Sequence, residues 1–222
     1  MIIAIDGPAA SGKSTAAIGV AKCLNITYLD TGAMYRAVTF GLIDNNIEFE
    51  NSTTIKRYLE TIDIKFSESS SGLSLILNNR DITKEIRSTI VTEKVSEVSA
   101  LECVRKSMVS IQRKMAEIDD CILEGRDIGS VVFPNADFKF FLIADEKARA
   151  ERRLEDLKAI GEESSVEKVM SDLINRDYKD STRKHSPLKK PNDAIIIDTS
   201  KLGINEVIDK IVNIVNQKRT LQ

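Results

Sequence analysis

Residues 7 to 14 read Gly7-Pro8-Ala9-Ala10-Ser11-Gly12-Lys13-Ser14, a complete G-x-x-x-x-G-K-S pattern behind the apolar run Ile2-Ile3-Ala4-Ile5. The chemistry of such a segment is capture of a polyphosphate. A tight turn after a strand aims several backbone N–H groups at one point, and the helix that follows adds its N-terminal partial positive charge there. Lys13 reaches the β and γ phosphates, and the Ser14 hydroxyl is a ligand for Mg²⁺. Gly7 and Gly12 let the backbone turn and approach an anion closely. The pattern arises by chance in a chain this long on the order of once in a hundred. The alternative is a glycine-rich turn with no ligand.

A second set of chemically capable residues is cationic. Arg149, Arg152 and Arg153 fall where Arg149 shares a helix face with both of the others. Farther on, Arg176 to Lys190 holds six Lys or Arg against two Asp. A solvated helical hairpin is one reading of this stretch. With a phosphate loop in the same chain, a lid that brings cations to phosphates is the favoured one. The only histidine is His185, which excludes a His-rich metal site. Cys23, Cys103 and Cys121 form no C-x-x-C pair and are odd in number. They read as free thiols of a reducing compartment.

Elements must hold these groups in place. Five short apolar runs read as buried parallel strands: Ile2–Ile5, Ile26–Leu29, Cys121–Leu123, Phe138–Ile143 and Ala194–Ile197. Helical periodicity separates them, clearest in Leu101, Val104, Met108, Ile111 and Met115 and in Ile204, Val207, Ile208, Ile211 and Val215. Strands alternating with helices predict an α/β fold with a doubly wound parallel sheet and ligands at the carboxyl ends of its strands. Residues 63–82 break the plan. Ile64 and Phe66, a Ser-rich tip, then Leu73, Leu75 and Leu77, ended by Asn78-Asn79, predict an antiparallel hairpin.

At 222 residues with a formal net charge of −2, the chain suits one α/β domain, with room for inserted subdomains, and sets up no global field for nucleic acid or anionic membrane. No apolar run approaches the ~20 residues of a spanning helix, and no leader is expected. A cytoplasmic monomer is the expectation, since no heptad seam is evident. A guanine-reading Asn-Lys-x-Asp segment is lacking, which argues against a nucleotide switch.

Four motifs then occur in order: the loop itself, Leu29-Asp30-Thr31-Gly32-Ala33-Met34-Tyr35-Arg36, Glu124-Gly125-Arg126-Asp127-Ile128-Gly129, and Arg176-Asp177-Tyr178-Lys179-Asp180-Ser181-Thr182-Arg183. Together they resemble the bacterial cytidylate kinases, nucleoside monophosphate kinases acting on CMP and dCMP. The resemblance runs nearly from end to end and includes Val132-Phe133-Pro134 and Asp198-Thr199-Ser200. It implies the P-loop kinase fold: a core of residues 1–35, 99–146 and 191–222, a monophosphate-binding insert of about 36–98, and a lid of about 147–190.

The resemblance also assigns roles. Gly7, Pro8, Ala9, Ala10, Ser11, Gly12, Lys13, Ser14 and Thr15 would hold the ATP phosphates. Ser14 would meet Mg²⁺; some family members have Gly there, and the hydroxyl strengthens the metal role. Lys13, Arg126, Arg149 and Arg153 would serve the transfer itself. Arg36, Arg126 and Arg183 would clamp the acceptor phosphate. Ser96, Arg105 and Asp127 would read cytosine, Arg176 and Asp180 would face the sugar, and Thr31 and Tyr35 would line the acceptor site. Asp6, just before the loop, would hold either the loop or a magnesium-bound water. The implied partners are ATP and CMP or dCMP, with Mg²⁺ as cofactor. Alternatives are a kinase of the same fold for UMP, dTMP or shikimate, and a nucleotide-binding regulator without turnover.

Overall fold

The computed structural model describes residues 1–69, 72–159 and 161–220. Ser70 and Ser71 of the expected hairpin tip, and Ile160 of the expected lid, lie outside the described residues. In chain order the elements are β1 (Ile2–Asp6), α1 (Lys13–Leu24), β2 (Thr27–Asp30), α2 (Thr31–Asp44), α3 (Ser52–Thr61), β3 (Ile64–Ser69), β4 (Gly72–Leu77), β5 (Arg80–Asp81), α4 (Thr89–Ala100), α5 (Glu102–Ala116), β6 (Cys121–Gly125), β7 (Phe138–Ile143), α6 (Glu146–Ala159), α7 (Val166–Thr182), β8 (Ile195–Asp198) and α8 (Ile204–Thr220).

The five expected apolar runs are the five strands of one sheet, in the order β2-β6-β1-β7-β8. The β1–β6, β1–β7 and β7–β8 ladders run parallel. Ile3, Ala4 and Ile5 are fully buried, as a central strand covered on both faces requires. One face is covered by α1 through Ala16, Ala17, Val20 and Ala21 and by α8 through Val207, Ile211 and Val215, in a single apolar cluster with Phe138, Phe140 and Leu142. Asn25 ends α1 in the left-handed conformation and donates its N–H to Ala21 and Lys22 carbonyls.

The expected hairpin is present as β3 and β4, paired antiparallel from Ile64↔Leu77 to Ser69↔Gly72. It continues into the short strand β5. Asn78 and Asn79, at φ 49° and 65°, supply the two left-handed residues that a tight β4–β5 turn needs. The chain divides into two compact units, one of residues 1–29 and 116–222 and one of residues 30–115. Helices α2 and α5 pack within the second unit. Met34, Val38, Leu42, Val104 and Met108 share one apolar cluster there with Ile64, Leu75 and Ile82. Helices α6 and α7 belong to the first unit. Among the described residues, no helix is long and apolar enough to cross a membrane.

Candidate active site

The loop between β1 and α1 has the shape its sequence demands. Gly7 has φ 152°, and a Cβ there would lie 2.1 Å from the Leu142 carbonyl oxygen. Gly12 is left-handed at φ 86°. Ala10 is left-handed as well, at φ 57°, which is strained for a residue with a Cβ. Lys13 is buried, and its Nζ donates to the Pro8 carbonyl at 2.6 Å and to Ser11 Oγ at 3.4 Å. Burial, together with the nearby Arg126 and Arg176 charges, pushes the Lys13 amine down to about 7. An anion in the loop would reverse that shift.

At the loop's far side, exposed Ser14 donates its hydroxyl to Glu124 Oε1 at 2.6 Å. Tyr28 OH donates to the same oxygen at 3.5 Å. Glu124 is buried at the carboxyl end of β6, beside β1. A hydroxyl and a carboxylate are hard oxygen donors of the kind Mg²⁺ takes, few in number because phosphates and water complete its shell. These two residues fit that ion. Glu124 was visible in its motif but had no assigned role, although a carboxylate at the end of a strand next to the loop is a readable signal.

Asp6 engages neither the loop nor an exposed position but the backbone of another segment. Its carboxylate accepts the N–H of Ile128 at 2.8 Å and of Gly129 at 2.7 Å. It therefore ties the residue before the phosphate loop to the turn after Arg126-Asp127. Burial raises the Asp6 carboxyl to about 6, against the opposing effect of these two hydrogen bonds.

Four charged side chains of one unit converge beyond that turn. Arg126 Nε donates to Asp180 Oδ2 at 3.0 Å. Arg183 lies 3.7 Å from both Asp127 Oδ1 and Asp180 Oδ1. Arg183 Nε donates to the Ser186 carbonyl at 2.7 Å, where Ser186 has φ 50°. All four are largely buried, with Arg126 the most accessible at 17% of its side chain. Arg176 lies on the same helix as Asp180 and is half-buried.

Helices α6 and α7, the expected lid, grip the loop. Asp177 Oδ1 accepts the Ala9 N–H at 3.0 Å. Arg149 pairs with the other Asp177 oxygen and also donates to the Ala9 carbonyl at 3.2 Å. Ala9 further joins Ala150, Val169 and Leu173 in one apolar cluster. Within the loop, then, Pro8 has no N–H and that of Ala9 is engaged by Asp177, so these two shape the loop while donors come from later positions. Arg149, expected to reach the transferring group, is engaged by Asp177 and the Ala9 carbonyl. Its Nε is buried without a hydrogen-bond partner among the described residues. Arg152 donates to the hydroxyl and carbonyl of Thr199 at 3.0 and 2.6 Å. Thr199 in turn donates to the Ser11 carbonyl at 3.1 Å. Arg153 is half-buried. The parts played by Asp177 and Thr199 had no sequence signal, because both meet the loop from the far end of the chain.

The second unit holds the remaining expected residues. Arg105 is 3% exposed, donates to the Ser99 carbonyl at 3.2 Å, and places its guanidinium 4.7 Å from the centre of the Tyr35 ring. Arg105 is therefore not a solvated helix-surface residue. Arg36 donates to Thr92 Oγ1 at 2.9 Å and toward the Ile86 carbonyl at 3.4 Å. Thr31 is buried at the start of α2, whose first turn is capped by Asp30 accepting the Ala33 N–H. Ser96 is half-buried on α4.

A family model described as cytidylate kinase matches residues 3–217. The chain is 49% identical over 218 residues to a cytidylate kinase of Carboxydothermus hydrogenoformans, covering 98% of each chain. It is 45% identical over 218 residues to one of Halalkalibacterium halodurans, again covering 98% of each. Among solved structures it shares its fold with an uncharacterized protein from Eubacterium ventriosum, at a TM-score of 0.55 and 14% identity over 98% of both chains. The chain belongs to the cytidylate kinase family.

Proposed function

We propose that this member of the family transfers the γ-phosphoryl group of ATP to CMP or dCMP, giving ADP and CDP or dCDP. The observation that carries the reading is the buried Arg126–Asp180–Arg183–Asp127 group, in the same unit as a phosphate loop with a buried lysine. The two carboxylates hold the two guanidiniums in place, with Arg126 the more accessible of the pair. A second phosphate pKa of about 6 leaves a monophosphate mostly dianionic at neutral pH, so the acceptor needs no strong general base. What the reaction needs is positive charge that holds two polyanions in line and keeps water out.

The residues divide that work. The N–H groups from Ala10 to Thr15 and the Lys13 ammonium hold the donor phosphates. Ser14 and Glu124 would hold Mg²⁺, which would supply neutralising charge to the donor phosphates. Arg126, Arg183 and Arg36 bind the acceptor phosphate, for which the planar guanidinium fork is suited. Arg153 is the lid arginine left to meet the transferring group, with Arg149 steadying the loop. Arg176 and Asp180 face the sugar. Asp127 accepts from the cytosine N4 amine, while Arg105 and Ser96 meet its N3 and O2 acceptors. Uracil reverses the polarity at positions 3 and 4 and would leave these groups unpaired, so a UMP kinase reading is not favoured.

Steady-state phosphorylation of CMP, dCMP, UMP, dTMP, AMP and GMP at fixed Mg-ATP tests this. CMP and dCMP should exceed the others in kcat/KM by at least about tenfold. Another preferred acceptor would overturn the base assignment, and no turnover would overturn the kinase reading.

A further inference from the structure

The turn that carries Asp127 is built in an uncommon way. Residues Ile128–Val132 form a short π-helical turn with Asp127 at its N-cap position. An aspartate there ordinarily folds its carboxylate back onto the unpaired N–H groups of its own first turn. Here it makes no such capping bond. The N–H groups of Ile128 and Gly129 go instead to Asp6, which reaches them from the adjacent strand and is 1% exposed. The Asp127 carboxylate is turned the other way and pairs with Arg183. Gly129 suits this arrangement, since a Cβ there would come within 3.3 Å of Asp6 Oδ2 and 3.2 Å of the Lys139 side chain. Lys139 cannot swing aside easily, because its Nζ is held by Asp193 at 2.6 Å and by the Pro134 carbonyl.

We propose that Asp6 is a positioning residue for acceptor recognition: it caps the turn after Asp127 in place of Asp127 itself, and so keeps that carboxylate turned toward Arg183 and the acceptor base. Asp6 touches no substrate and acts only through this backbone. The inference rests on the reading in which Asp127 accepts from cytosine. Without Asp6, the Gly129 N–H loses its acceptor, and the Asp127 carboxylate at the N-cap position would swing back to cap its own turn. Base selection would then be lost while the donor loop still held its phosphates.

The test uses the full chain and three variants, Asp6→Asn, Gly129→Ala and Asp127→Asn, each assayed for KM of ATP and for kcat/KM of CMP and UMP. Asn at position 6 accepts one N–H and leaves the other unpaired. Asp6→Asn should raise KM for CMP and lower the CMP to UMP ratio, each by about tenfold, with KM for ATP within about twofold. Gly129→Ala, which crowds the same contact from the opposite side, should shift the ratio in the same direction by less. It also carries the test if Asp6→Asn does not fold. An unchanged ratio in both variants, with Asp127→Asn lowering it, overturns the role of Asp6 alone. Equal losses for ATP and CMP in Asp6→Asn would make Asp6 a support of the donor loop and also overturn it. An unchanged ratio in Asp127→Asn overturns the base assignment itself, and this inference with it.

Discussion

On the function proposed above, the phosphate-binding end and the base-reading end of this protein are made of different material. At the first, backbone does most of the work: a loop bent through three positive-φ residues, Gly7, Ala10 and Gly12, presents N–H groups that only proline would remove. Its one indispensable side chain, Lys13, lies folded onto the loop that bears it. At the second, single side chains on separate helices carry the recognition. Arg105 of α5 stacks on Tyr35 of α2 and is braced by the Ser99 carbonyl. A backbone-built site is fixed by local geometry and accepts any polyphosphate. A side-chain-built site is fixed by long-range packing and can discriminate among bases.

The largest effect should come from removing the one side chain that the backbone-built end depends on. Lys13→Met should lower kcat by on the order of a thousandfold in a coupled ADP-release assay. The same variant should stabilise the nucleotide-free protein. The folded amine titrates at about 7 against an ordinary 10.5. In the wild type, the stability contribution of Lys13 is complete above pH 10.5 and is lost as pH falls toward 7. The penalty is of order 5 kcal/mol at about 1.4 kcal/mol per pKa unit. Thermal melts should therefore place Lys13→Met above the wild type at pH 6, with the two converging near pH 10.

Next in size is the grip on the loop from outside. Asp177→Ala leaves the buried Arg149 without its carboxylate and should cost about 3 kcal/mol in urea denaturation. At the base-reading end, Arg105→Met keeps the packing stem and removes the charge. The CMP to UMP ratio in kcat/KM should fall by about tenfold or more, with KM for ATP unchanged. If ATP affinity falls equally, the two ends are not separable in the way described. The smallest effect is expected at Ala10. Replacing it with Gly relieves a left-handed strain of about 1 kcal/mol and adds a comparable unfolded-state entropy cost. The thermal midpoint should move by no more than about 3 °C, with kcat unaltered.

The same contrast explains how much could be read from the sequence. The loop is contiguous and obeys local rules, so Gly7 to Ser14 announces itself. The five buried strands do so through their apolar runs, and Asn78-Asn79 through its turn chemistry. What escaped depends on contacts between distant parts of the chain. Nothing near Asp177 says that it caps Ala9, and nothing near Thr199 says that it holds Ser11 for Arg152. Asp6 could be placed beside the loop, but its partners Ile128 and Gly129 become neighbours only when β1 and β6 pair. The third strand β5 is two residues long, too short for a periodic signal. The division of the chain after Leu29 and Met115 reflects which helices share an apolar cluster, a property of packing.

Ala9 has both of its peptide groups taken by the lid helices, its N–H by Asp177 and its carbonyl by Arg149. Loop and helices are thereby geared together, like two wheels on one axle. Rearrangement of the α6–α7 pair and release of nucleotide from the loop should share one rate-limiting event, with one activation enthalpy measured by stopped-flow on either reporter. In Asp177→Ala the axle is cut, and the two rates should part.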